Sequence, residues 1–140
     1  MTESKVFKYQ TIAKQSDIDV LNHVNNEVYL RWLMESAVAH SDYLGFPVSE
    51  YTKIGSAFVV RRHEIDYLSS ALLNDEVVIE TWCGEIGGTK ATREYQIIRS
   101  SDQKTLIQAK SLFVFIDLKT GRPKQIPEEL VKIFVQYKRL

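Results

Sequence analysis

Only one cysteine, Cys83, occurs in the chain, so no internal disulfide can form and a reducing compartment is the natural setting. Nor is there an excess of either charge: Lys and Arg number 18, Asp and Glu 18, and the formal net charge is zero. A nucleic-acid-binding protein would show a strong basic excess, so that class is set aside, although a local basic rim could still grip a few phosphates. No apolar run approaches the length that crosses a bilayer, and residues 1–10 hold no apolar core of signal-peptide length. A cytoplasmic protein without a membrane partner is the expectation. There is also no repeat, no low-complexity tract and no Pro/Gly/Ser linker. The 140 residues suit one domain over 1–140, and 44% apolar content supplies enough material for a core.

What is present reads as one long helix among strands. Val6, Tyr9 and Ile12 mark a first short strand. A helix is predicted from about Asn26 to Tyr43, because neither Gly nor Pro interrupts a run of good helix formers, and Gly45 and Pro47 then stop it. Its apolar residues form three stripes, Tyr29–Leu33–Ala37, Leu30–Met34–Val38 and Val28–Trp32–Ala39, which predicts a core helix wrapped by other elements. Strands rich in Val, Ile, Thr, Phe and Tyr are predicted at 58–68, 76–83, 91–99 and 106–118. The links between them are short and carry turn residues, notably Gly87-Gly88 and Ser100-Ser101-Asp102, which favours antiparallel neighbours. Pro127 opens a final short helix, with Leu130, Val131, Phe134 and Tyr137 on its apolar side. The expected architecture is α+β: a long central helix wrapped by a curved antiparallel sheet, whose remaining edge or face is most cheaply covered by a second copy.

The passage from Asp17 to Tyr29 carries the chemistry. Asp19 precedes the helix, and the amides of about Val24 to Asn26 fall at its first turn. Those donors have no partner within the helix, and the macrodipole adds positive potential there. Such a place can hold a developing oxyanion, each aimed amide being worth about 3 kcal/mol in enzymes built this way. A carboxylate beside an oxyanion site is the minimal equipment for acyl hydrolysis. It can activate water as a general base, or attack the carbonyl and give a mixed anhydride.

The stretch Asp19-Val20-Leu21-Asn22-His23-Val24-Asn25-Asn26-Glu27-Val28-Tyr29 resembles the active-site signature of hot-dog-fold thioesterases of the 4-hydroxybenzoyl-CoA thioesterase family, D-x-x-G-H-V-N-N-x-x-Y, with Asn22 in the glycine's place. His23-Val24-Asn25-Asn26 followed by Tyr29, Trp32 and Glu35-Ser36 also resembles plant acyl-ACP thioesterases, although Leu21 replaces the asparagine those enzymes use beside their aspartate. The likeness continues through Arg62-His63-Glu64-Ile65-Asp66-Tyr67, Asp75-Glu76-Val77 and Thr120-Gly121-Arg122-Pro123, and so covers nearly the whole chain. It implies a hot-dog fold and hydrolysis of an acyl-CoA thioester, with no cofactor beyond the CoA of the substrate. It also implies that Asp19 is the catalytic carboxylate, that the amide at Asn26 polarises the thioester carbonyl, and that His23 orients substrate or water. A second amide donor would come from near Ser56 or Ala57. Asn25, Tyr29, Trp32, Glu35 and Ala57 then fall among the substrate contacts, with Leu33 and Ser36 beside them in the acyl pocket. Thr89, Lys90 and Arg122 would grip the nucleotide phosphates. In that family the thioester lies in a groove between two subunits, so a homodimer or homotetramer is implied.

Plainer roles stand beside these. Asp19 alone could be a helix cap, and Asp17 reads as a capping or turn residue. His23 is open between a substrate contact and a hydrogen bond that pins the loop. Glu35 lies among Val28, Trp32 and Ala39, partly buried, with Arg31 one turn away as an i,i+4 partner; it is also a secondary candidate acid. The bulk of Tyr29 and Trp32 suggests a short or medium acyl group. Cys83 reads as a core thiol and His63 as structural. No metal is expected: Asp17-x-Asp19-x-x-x-His23 fails as a calcium loop, and no zinc-type spacing occurs. The alternatives are a non-catalytic acyl-CoA-binding module, an acyl-ACP thioesterase, and a hot-dog hydratase. The hydratase pattern D-x-N-P-x-H places histidine five residues after the aspartate, whereas here the interval is four without proline.

Overall fold

The computed structural model describes residues 5–139; residues 1–4 and 140 of the expected domain span lie outside it. In chain order the elements are β1 (Phe7–Ile12), α1 (Asn26–Tyr43), α2 (Val48–Ile54), β2 (Ser56–Tyr67), β3 (Glu76–Gly87), β4 (Lys90–Arg99), β5 (Thr105–Asp117) and α3 (Glu128–Phe134). A single 3-10 turn, Gln15–Asp17, precedes the loop that leads to α1. The five strands make one antiparallel sheet in the order β1-β3-β4-β5-β2. The short turns between β3, β4 and β5 impose a meander, and β1 and β2 add to its two edges. This is the α+β hot-dog arrangement, a long helix laid along a curved sheet.

The alternation of the strands decides which side receives the helix. Val77 and Ile79 of β3, Tyr95 and Ile97 of β4 and Ile107 of β5 form the core with Tyr29, Trp32 and Leu33 of α1. Helix α1 buries Val28, Tyr29, Trp32, Leu33, Ser36 and His40, one face of a 3.6-residue period. It is not wrapped on every side. Val38, on the second predicted stripe, is 53% exposed, because a five-stranded sheet covers one side of a helix and leaves the rest of it open. The helix ends as its sequence predicts: Leu44 caps it and Gly45 follows at a φ of 84°.

Helix α2 has no counterpart in the sequence reading. Its seven residues bury none of their side chains fully, so they display no periodic apolar face, and Gly55 ends the helix in the left-handed conformation. Strand β3 runs to Gly87 rather than stopping at Cys83, since an irregularity between Cys83 and Ile86 lets its pairing with β4 resume.

One junction fixes the entry to α1. Ala71, fully buried between β2 and β3, donates its amide to the Tyr29 hydroxyl at 2.8 Å and accepts the Val24 amide at 3.0 Å. Tyr29→Phe would leave the Ala71 N–H buried without an acceptor. A destabilisation of about 1–3 kcal/mol is expected, read as a lower urea midpoint at unchanged m-value.

Candidate active site

The loop before α1 folds back on itself. Asp17 accepts the Asn25 amide on its carbonyl at 2.8 Å, Ile18 bridges Val24, and the Asp19 amide donates to the His23 carbonyl at 2.9 Å. Asn22 turns the tip at a φ of 62°, the left-handed conformation that asparagine tolerates better than most residues. Asparagine therefore serves where the family pattern has glycine. Within this hairpin the Asp19 carboxylate is held by its own loop, Oδ1 accepting the Leu21 amide at 2.9 Å and the His23 amide at 3.4 Å. Its Oδ2 has no protein partner among the described residues.

The amides at the helix start are mostly spent. Val24 donates to Ala71, Asn25 to Asp17, Glu27 to the Asn25 side chain at 3.1 Å, and Val28 to the Asn25 carbonyl at 2.9 Å. The Asn26 amide, first in the helix, has no protein partner among the described residues. Asn25 is thus the N-cap of α1, and Asn26 keeps a free donor where the macrodipole is most positive.

Asp17 does more than cap. It is buried, accepts the Lys14 amide at 2.9 Å and pairs with Arg31 at 2.8 Å. Arg31 also reaches Glu35 at 3.9 Å, the i,i+4 pair expected, and Glu35 accepts a long 3.5 Å bond from the Tyr9 hydroxyl. The exposed His23 side chain makes no hydrogen bond among the described residues.

A cavity of about 390 Å³ opens at the far end of the sheet. The second half of α1 lines it through Met34, Ala37, Val38 and Ser41, and strands and α2 add Ala57, Phe58, Phe113 and Tyr51. Tyr29, Trp32, Leu33 and Ser36 lie instead against the sheet, so the bulk of Tyr29 and Trp32 does not limit this space. Ala57 lines it, and the expected phosphate grips lie at the same end: Lys90 pairs with Val114, Thr89 accepts the Phe115 amide, and Arg122 follows β5. Ser56, fully buried, accepts a bond from Lys124 at 3.0 Å. The site residues therefore fall in two groups. Asp19, His23, Asn25 and Asn26 stand beside Ala71 and the Tyr67 end of β2, where Tyr29 meets Tyr67 edge to face. Ala57, Thr89, Lys90 and Arg122 stand at its Ser56 end, and the twelve-residue strand between them spans roughly 36 Å.

Sequence reasoning missed the cavity and with it Arg93. The signal was there: along β4 Arg93 falls in step with Tyr95 and Ile97, on the side facing α1. His63 bonds Ser111 at 2.7 Å, and Cys83 is buried. Among the described residues no group of three or more His, Cys, Asp or Glu is placed to hold a metal ion, and no helix is long and apolar enough to cross a membrane.

A model of the thioesterase-like superfamily matches residues 13–134. The chain belongs to that superfamily. Membership places it among thioester hydrolases, as the motif around Asp19 implied. The long-chain acyl-CoA thioesterase FadM of Escherichia coli (strain K12) is 30% identical over 116 residues, 81% of this chain and 85% of its own. The chloroplastic acyl-acyl carrier protein thioesterase ATL2 of Arabidopsis thaliana is 23% identical over 122 residues, 87% of this chain, which spans 64% of that relative's length. Among solved structures, the protein SAV2348 from Staphylococcus aureus in complex with CoA superposes at a TM-score of 0.90, over 98% of this chain and 86% of that one. At 14% identity, that likeness is one of fold.

The Asp17–Arg31 pair makes acid stability measurable. Burial alone would raise the Asp17 pKa, but the Arg31 hydrogen bond and then the Lys14 amide outweigh it and hold the pKa below 3.8. A depressed folded-state pKa contributes stability that is present above the unfolded value and lost as pH falls through the folded one. In Arg31→Met the buried carboxylate loses its cation, so circular dichroism during acid titration should show unfolding beginning at a higher pH than in wild type.

Proposed function

We propose that the chain hydrolyses acyl-CoA thioesters, with Asp19 as general base or nucleophile and the Asn26 amide as oxyanion donor. The free Asn26 N–H at the start of an 18-residue helix, at the base of the hairpin that carries a carboxylate whose Oδ1 is already anchored, carries this reading. Anchoring Oδ1 leaves Oδ2 to face a water or a carbonyl carbon, and the fixed amide receives the charge that develops on the carbonyl oxygen. His23, exposed on the same hairpin, is suited to orient the water or the substrate.

The reading needs two copies of the chain. Within one protomer Asp19 stands at the opposite end of β2 from the cavity. Strand β2 is a sheet edge, and antiparallel pairing of two such edges sets the Tyr67 end of one beside the Ser56 end of the other. Exposed apolar side chains support this pairing at both ends: Val20 at 97% and Leu21 at 71% exposure beside Asp19, and Val48, Ile54 and Leu118 near the cavity. The acyl chain then enters the cavity of one subunit while Asp19 of the other meets the thioester, and Thr89, Lys90 and Arg122 hold the CoA phosphates. The domain spans 1–140, needs no cofactor, and acts in the cytoplasm, a setting in which the lone buried Cys83 stays reduced. The likeness to the chloroplastic relative makes an acyl carrier protein the alternative carrier.

Thiol release from a panel of acyl-CoAs, wild type against Asp19→Asn, tests the chemistry. A fall in kcat of about a hundredfold or more with little change in KM is expected. If wild type binds the panel but releases no thiol, the non-catalytic acyl-CoA-binding module replaces this reading. If it cleaves acyl-ACP and spares acyl-CoA, the carrier changes. Sedimentation tests the assembly: wild type should run as a dimer or tetramer, and Val60→Lys on the β2 edge should shift it toward monomer and reduce turnover although Asp19 is intact.

A further inference from the structure

Along β4 the residues Ala91, Arg93, Tyr95 and Ile97 face the α1 side of the sheet, and Arg93 brings a charge among them. Its Nη1 donates to His40 Nδ1 at 2.9 Å and to Thr81 Oγ1 at 3.1 Å. Because arginine only donates, His40 Nδ1 is the acceptor and the imidazole is neutral. Burial, then the charges of Arg93 and Lys5, push the His40 pKa down to about 3, so it stays neutral. No anion pairs with the guanidinium either: its charge couples to Tyr95, Cys83 and Tyr51, whose pKa values burial pushes up, and Asp42, the carboxylate that lines the same cavity, makes no ion pair with it. Among the described residues no carboxylate comes within ion-pair distance of Arg93, and its Nε and Nη2 have no hydrogen-bond partner.

Those idle donors are not sealed in the core. His40 Nε2 is the one side-chain nitrogen or oxygen, among the described residues, that is both buried and unpartnered. The free N–H groups of Arg93 are therefore accessible, and Arg93 lines the cavity together with Met34, Phe58, Ile86 and Phe113. A charge removed from bulk water without a counter-charge is costly unless something supplies one. A guanidinium with Nε and Nη2 free presents the two parallel donors that a carboxylate accepts.

We infer that the cavity takes an acyl group ending in a carboxylate, its alkyl part lying against Met34, Phe58 and Phe113 and its terminal oxygens accepting from Nε and Nη2 of Arg93. This substrate class, a CoA monothioester of a dicarboxylic acid, rests on the thioesterase reading above. Arg93 is then a specificity-determining residue, far along the acyl chain from the bond that Asp19 breaks. The apolar walls select for the methylene spacer, and the charge at their end selects against a plain alkyl tip.

The test compares adipoyl-, suberoyl- and sebacoyl-CoA with hexanoyl-, octanoyl- and decanoyl-CoA. Wild type should favour the carboxylate-ended member of the best pair by about tenfold or more in kcat/KM, and Arg93→Gln should lose the preference while still cleaving the plain acyl-CoA. Equal or better turnover of the plain series by wild type overturns the inference. A second arm needs neither variant nor turnover: free suberate should raise the wild-type melting temperature more than octanoate does. If wild type cleaves neither series, the thioesterase reading falls, and the melting arm decides alone. Stabilisation by suberate upholds the anion site, and its absence overturns it.

Discussion

The backbone of Ala71 is the point through which sheet, helix and loop are held in one arrangement. Its amide and carbonyl both lie where water cannot serve them, and both are taken by the segment that begins α1. A buried peptide group needs both partners, so the Tyr29 hydroxyl and the Val24 amide have little freedom to move. The hairpin from Asp17 to Asn25 is thereby pinned at its base, and its tip needs only local bonds to stay folded. Preorganisation at Asp19 and Asn26 follows from a contact that touches neither residue.

Two arginines show how differently this chain handles a positive charge. Arg31 is half exposed, yet its partner Asp17 is buried, and the pair braces the hairpin against the first turns of α1. Arg93 reverses the pattern: it lies on the inner face of the sheet, bonded to a neutral imidazole and a hydroxyl. The first charge is used to fix a loop. The second is left open toward a space large enough for a ligand, within the size range of small-molecule sites.

Much of this was legible in the sequence, for identifiable reasons. Helix α1 has the predicted limits because Asn25 caps it, no breaker interrupts it and Gly45 ends it. The loop was legible because its residues recur at the spacing of a known motif, and Asn22 could be read as a tolerable stand-in for glycine from its backbone preferences alone. The cavity was not legible. It is bounded by the second half of α1, by α2 and by residues of β2, β3, β4 and β5, distant in sequence and mostly apolar like any core. A stripe such as Leu30–Met34–Val38 looks the same whether it meets protein or a ligand. Helix α2 was missed because seven residues give too little periodicity to register.

The order in which the strands pair also shapes how the molecule comes together. Strands β3, β4 and β5 are neighbours along the chain and close through turns of a few residues, at little entropic cost. Strand β2 joins this unit only through partners far downstream, Tyr67 with Ile107 and Ser56 with Asp117, and β1 must reach β3 across the helix. Chain-closure entropy makes the meander the natural nucleus and the outer strands late arrivals. Of the proposed site, the Asp19 hairpin between β1 and α1 and the α2–β2 part of the cavity wall ride on those late arrivals, whereas Arg93 and Phe113 sit on the meander itself. The hairpin and the outer wall thus belong to the segments that close last and open most readily, on a meander that can keep Arg93 in place while they do.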